Sequence, residues 1–153
     1  MRLWLDADHC PAEVRETVSR AAVKKGIDTF FIANRKIPLP ASSYLVSVAV
    51  EGGPQAADRY LIDHVSAGDL AITADIPLAS ELVSCGVTVI HPRGDVFTEE
   101  NIRQRLSLRN FLEALRDQGV NTRDPSPYRK KAGRSFADAF DRELHRAIRR
   151  AMR

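Results

Sequence analysis

Apolar and polar positions recur along this chain in a fixed order, a short apolar run followed by a segment with helical spacing. Leu3 to Leu5 is apolar and stops at Asp6, and Pro11 stands where the first turn of a helix accepts it. Val14, Val18, Ala21 and Ala22 then keep helical spacing until Gly26. Ile27 to Ala33 reads as a second strand. After the loop NRKIPLPASS comes a third, Tyr44 to Val50, closed by Gly52, Gly53 and Pro54. A second helix follows, with Ala57, Leu61 and Val65 on one face. Leu70 to Thr73, Pro77 to Cys85 and Val87 to Ile90 repeat the strand, helix, strand order and end in HPRG.

Near-continuous apolar strands alternating with helices predict an α/β fold: a mainly parallel five-stranded sheet wrapped on both sides by helices. Thr98 could cap a long helix to Gly119 with an apolar stripe of Leu108, Phe111, Leu112 and Leu115. The loop NTRDPSPYRKKAGR then leads to a final basic helix from Ser135 onward. At 153 residues with 44% apolar content, one domain is expected over 1–153, an α/β core over 1–97 and a basic helical extension over 98–153.

Charge sharpens this picture. Residues 1–100 carry 9 Lys/Arg against 14 Asp/Glu, whereas residues 101–153 carry 14 against 6. An acidic front and a basic rear suit a protein that holds a divalent cation beside an anionic polymer, although a solvated basic helix gives the same balance. Only Cys10 and Cys85 are present, without metal-ligand spacing, so neither a disulfide framework nor a zinc site is expected. Three apolar residues before Asp6 are too few for a signal segment and no run reaches membrane length, so a soluble cytoplasmic protein is expected.

In a parallel α/β sheet, ligands bind beyond the carboxyl ends of the strands. Those ends are polar here: Asp6 and Asp8, Asn34, Glu51 leading to Asp58, Asp75, and His91 with Arg93. If the first strand continued through Asp8, Asp6 and Asp8 would leave on one face. Crowded carboxylates repel unless a hard cation offsets them, and Mg2+ or Mn2+ fits dispersed acids that leave room for water and a phosphate. Asp6, Asp8, Asp58 and Asp75 are therefore the candidate ligands. Asn34 and His91 would support them without touching the ion. Each acid also has a plainer reading: Asp8 and Asp75 could cap helices, and Asp58 could be a surface acid. Asp63 points elsewhere on its helix, and Asp69, at the opposite sheet edge, reads as solvated.

The segments DADHCP, GPQAADRYLI and GDLAITADIPLA, with HPRG, FTEENIRQRLSLRNFLEALRDQG and RSFADAF, together resemble the bacterial YaiI/YqxD family along nearly the whole chain. That family is similar to PIN-like domains, metal-dependent nucleases on an α/β/α sheet. The resemblance implies catalytic roles for Asp6, Asp58 and Asp75, Mg2+ or Mn2+ as cofactor, and RNA or another phosphate-bearing substrate as partner, with no membrane. His9 departs from the family pattern, which carries a small residue there, and Gln55 and Arg59 replace further acids beside Asp58.

Basic residues supply candidate backbone contacts: Arg93, a helical ridge of Arg105, Arg109 and Arg116, and the loop cluster Arg129, Lys130, Lys131 and Arg134 with Tyr128. Pairing with Glu113 or Asp117 is the competing use of the ridge. Cys10 reads as packing, and Trp4 as core. The expectation is a metal-dependent ribonuclease. Its rivals are an inactive RNA- or protein-binding module and a phosphatase opening on D-x-D, which lacks a downstream Lys and paired acids. The sequence sets no oligomeric state.

Overall fold

A computed structural model of the chain describes residues 1–120 and 130–153. Strands β1 (Leu3–Asp6), β2 (Thr29–Ala33), β3 (Leu45–Ala49), β4 (Leu70–Ile72), β5 (Thr88–Ile90) and β6 (Val96–Phe97) form one sheet in the order β3-β2-β1-β4-β5-β6. The first five are mutually parallel, and β6 runs antiparallel to β5. The sheet has six strands where the sequence predicts five, because Val96–Phe97 is too short to show a period. Helices α1 (Ala12–Lys25), α2 (Pro54–His64), α3 (Ile76–Ser84), α4 (Ile102–Asp117) and α5 (Lys130–Ala151) flank it.

Alternation along the central strand divides the core. Leu3 and Leu5 join Val14, Val18, Phe136, Phe140 and Leu144 on the face covered by α1 and α5. Trp4, one position out of phase, joins Leu61, Leu78, Leu82 and Val89 on the face covered by α2 and α3. Helix α5 is thus no appendage. Its basic residues line the outer side of a helix whose Phe136, Ala139, Phe140 and Leu144 are buried in the core, and it starts at Lys130, five residues before the predicted Ser135.

Helix α4 departs from expectation in the other direction. Only Ile102 is buried, while Leu108 and Phe111 of the expected core stripe are 53% and 59% exposed. Thr98 does not cap it directly. Its hydroxyl and the Asn101 carboxamide exchange hydrogen bonds with each other's backbone N–H at 3.3 and 2.9 Å, and Asn101 precedes the first helical residue.

The HPRG segment turns sharply between β5 and β6. Gly94 takes φ +102°, and a Cβ there would stand 2.7 Å from the carbonyl carbon and oxygen of Ser135. Glycine therefore lets this turn seat against α5. Gly94→Ala is expected to lower stability by about 2 kcal/mol or more, since left-handed strain and a backbone clash coincide. Urea unfolding checks this, and an unchanged midpoint would mean that the contact yields freely.

Candidate active site at the carboxyl edge

The sheet order turns about β1. The chain moves outward from β1 to β2 and β3, then returns to place β4 on the other side of β1. Neighbouring parallel strands whose connections depart in opposite directions leave a crevice at their carboxyl ends. Asp6 ends β1, and Thr73 directly follows β4, at that crevice.

Asp6 is 1% exposed, on the same side of β1 as Trp4 and so beneath α2 and α3. Its Oδ2 accepts the Thr73 hydroxyl at 2.8 Å and meets His9 Nδ1 at 2.9 Å. Thr73 Oγ1 in turn accepts the Asp75 backbone N–H at 3.0 Å. Asp6 Oδ1 is buried and has no hydrogen-bond partner. Such an orphaned carboxylate oxygen is costly to desolvate, and burial raises the Asp6 pKa, with Asp75 adding to it and Thr73 and His9 opposing.

Asp58, one turn into α2, lies half-buried in the same field. Burial, then the charges of Asp75 and Asp6, push it up to about 6, with His9 opposing and Glu81 adding. Burial works against charge on His9, but Asp6, Asp75 and Asp58 together raise its pKa above the ordinary imidazole value. Asp6, Asp58 and Asp75 are therefore within electrostatic reach of one another. Asp75 also caps α3, Oδ1 accepting the Leu78 N–H at 3.1 Å, so its capping use is real and leaves Oδ2 over.

Asp8 stands apart. The strand ends at Asp6 and the chain enters a 3-10 turn over Ala7–His9, which cancels the alternation expected to place Asp8 beside Asp6. Its Oδ2 instead accepts the Asn34 N–H at 2.8 Å, tying the ends of β1 and β2 together. It caps nothing, since α1 follows Pro11 without a side-chain cap. Asn34 thus serves Asp8 through its backbone. His91 lies by Phe97, its Nδ1 accepting the Arg93 N–H at 3.0 Å, with its pKa lowered by burial first. It is not among the groups acting on Asp6.

Thr73 is the contributor without a sequence signal, whereas His9, which stands out in the sequence as a departure from the family pattern, is the group that meets Asp6 beside it. A threonine ending an apolar strand carries no charge signal, and its position two residues before Asp75 was the available hint. Cys10 is buried, its Sγ 3.8 Å from the Ile72 carbonyl, and burial pushes its thiol far up, which suits packing.

The oxygen open to a cation is Asp6 Oδ1, and Asp58 and Asp75 are the carboxylates that could join it. Among the described residues no group of three or more His, Cys, Asp or Glu side chains is drawn together tightly enough to form a ready cation cage. Mg2+ does not require one, because it usually keeps several waters and takes one or two carboxylates plus substrate phosphate.

The basic candidates divide. Arg105 pairs with Asp95 at 3.3 Å and Arg109 with Glu113 at 2.8 Å, both exposed, and Arg105, Arg109 and Arg116 line one groove with Ile76, the residue after Asp75. Lys131 and Arg134 lie exposed in the first turns of α5, whose Ser135 meets the HPRG turn after β5. Lys130 opens α5, and Arg129, with Tyr128, lies outside the described residues. No described helix is long and apolar enough to cross a membrane, and both cysteines are free.

The raised acids give a pH dependence with a definite sign. An acid whose folded pKa exceeds its unfolded value binds more protons folded than unfolded between the two, so stability rises as pH falls through about 6 toward 3.8. The raised His9 acts in the same direction, its contribution lost as pH rises. Without divalent cations the melting temperature is expected to rise between pH 7 and pH 5, and Asp58→Asn to flatten that rise. A melting temperature that falls over this range, with EDTA present, contradicts it.

Fold and site define an α/β protein with an acidic crevice where its mostly parallel sheet changes winding direction. The chain belongs to the YaiI/YqxD family: the family described as "Uncharacterized BCR, YaiI/YqxD family" matches residues 4–146. Relatives named UPF0178 protein are 47% identical over 149 residues in Myxococcus xanthus, covering 97% of each chain, and 49% identical over 144 residues in Syntrophobacter fumaroxidans, covering 94% of each. One from Treponema pallidum is 48% identical over 153 residues, all of this chain and 86% of the relative.

Proposed function

We propose that this is a Mg2+- or Mn2+-dependent nuclease with a PIN-like α/β/α architecture, hydrolysing RNA phosphodiester bonds at the carboxyl edge of its sheet. The observation that carries the proposal is Asp6 Oδ1, buried and unpartnered within electrostatic reach of two further carboxylates. A cation there would remove the cost of that oxygen and would lower the raised pKa of Asp58. Asp6, Asp58 and Asp75 would hold it. When bound, the cation supplies an activated water and offsets charge building on the phosphoryl oxygens.

The chain's own groups have separate duties. Thr73 and His9 hold the Asp6 carboxylate in one orientation through Oδ2, leaving Oδ1 for the ligand. Arg105, Arg109 and Arg116 on α4, with Lys131 and Arg134 on α5 and Arg93 in the HPRG turn, would neutralise phosphates near the site. Protein incubated with labelled RNA and Mg2+ or Mn2+ should cleave it, and EDTA should stop the reaction. Intact RNA under every cation condition ends the proposal.

The second reading, a non-catalytic module that binds RNA or protein, is favoured by one observation: the acids form no ready cage of three among the described residues. It is distinguished by salt-dependent binding without turnover.

A further inference from the structure

Beside the acid site, α4 builds a surface that hydrolysis alone does not need. Ile76, Arg105, Leu108, Arg109, Leu112 and Arg116 enclose a groove of about 200 Å³. Ile76 is the first residue of α3 and follows Asp75 directly, so one wall of this groove is the chain neighbour of a site acid. At 100° per residue the three arginines fall within about 40° of one another, with Leu108 and Leu112 on the adjoining sector and Phe111 beyond them. Leu108, at 53% exposure, keeps a large apolar surface in water next to this cationic edge, and Phe111, at 59%, continues the apolar surface round the helix.

The arginines remain available. Among the described residues Arg105 and Arg109 form ion pairs with exposed carboxylates, Asp95 and Glu113, with Arg109 also donating to the Asn110 carboxamide oxygen, and such surface pairs are weak enough for a phosphate to displace. Arg116 makes no ion pair among the described residues. A partner must therefore be anionic along one edge and apolar along the next. Duplex nucleic acid presents phosphate but hides its base faces, whereas an unpaired strand presents both.

We infer that α4 is a track for an unpaired RNA strand leading to the acid site. The inference rests on the nuclease reading for what happens at the end of the track, while the contact itself stands independently. From Arg105 to Arg116 the helix rises about 16 Å, a length over which the three guanidiniums can meet successive phosphates.

The test is fluorescence anisotropy with a fluorescein-labelled, mixed-sequence, twelve-nucleotide RNA in EDTA, single-stranded or annealed to its complement. The single strand should bind more tightly than the duplex. Replacing Arg105, Arg109 and Arg116 together by Ala should weaken single-strand binding at least about tenfold and reduce the slope of log affinity against log salt by about 2. Leu108→Ser with Phe111→Ser should weaken it at least about fivefold while the slope stays the same. Equal affinity for strand and duplex, an unchanged slope in the arginine variant, or no RNA binding overturns the track. Hydrolysis of bis(p-nitrophenyl) phosphate with Mn2+ separates the two readings. RNA binding without that hydrolysis removes the nuclease and keeps the track; hydrolysis without RNA affinity does the reverse.

Discussion

Asp6→Asn is expected to lower cation-dependent RNA cleavage by more than about 100-fold while the protein stays folded. Removing even a group that orients a metal ligand commonly costs 10- to 100-fold, and Asp6 is proposed as the ligand itself. Folding should survive because the change removes a carboxylate held in the core with one oxygen unpartnered. The Asn carbonyl can still accept from Thr73, and the lost charge is one that burial already disfavours. Melting temperature in EDTA should therefore be unchanged or slightly higher. In the wild type, Mn2+ should raise the melting temperature in proportion to its binding, and in Asp6→Asn that increment should vanish. Full Mn2+-dependent cleavage by Asp6→Asn would remove Asp6 from the mechanism. Thr73→Val offers a graded companion, leaving the ligand present but free to rotate, so its loss should be smaller.

Where sequence and structure agree, one physical signal dominates locally. Leu3–Leu5, Phe30–Ala33 and Leu70–Ile72 are apolar without interruption because both sheet faces are covered, and no other placement satisfies such runs. A carboxylate directly after a run of that kind must have a reason to be there, which is why Asp6 was legible. Asp58 was harder, since a helical acid beside apolar residues looks like any surface acid until α2 is seen lying over the end of β1. Asp8 was misplaced because a single 3-10 turn changes which way every following side chain leaves. No composition rule announces that turn. The stripe on α4 has the correct period for a core helix, but periodicity records only that apolar residues share a face, not that anything covers it.

Burial at a strand entrance is equally silent in the sequence, and it underlies the second large expected effect. Asp69 lies at the edge of the sheet opposite the site, where sequence alone reads a solvated carboxylate; it is instead 4% exposed. Oδ1 accepts the Arg2 backbone N–H at 3.0 Å, and Oδ2 accepts Trp4 Nε1 at 2.9 Å and the Ser66 N–H at 2.9 Å. Trp4 is in turn stacked on Phe30 with centroids 4.5 Å apart, and the Arg2 guanidinium lies 5.0 Å above its ring. One carboxylate thus joins the start of β1 to the loop that enters β4, on the two strands that frame the crevice.

Asp69→Ala would strand three donors, one of them a buried indole N–H. At about 1 kcal/mol for each lost bond, with more for donors left dry, a loss of about 3 kcal/mol or more is expected. For a domain of this size that lowers the melting temperature by about 6–12 °C. Trp4→Phe should cost less at this contact, because it removes one donor and leaves Asp69 two others. In the double variant the two losses should fall short of additivity by about 1 kcal/mol, which isolates the Trp4–Asp69 bond from the loss of indole packing. Cleavage measured well below the melting temperature should be unaffected, since the carboxylate is at the far end of the strands from Asp6. A loss of less than about 1 kcal/mol in Asp69→Ala would mean that water replaces the carboxylate at these donors, and that the backbone ladder and apolar faces hold the two central strands together without it.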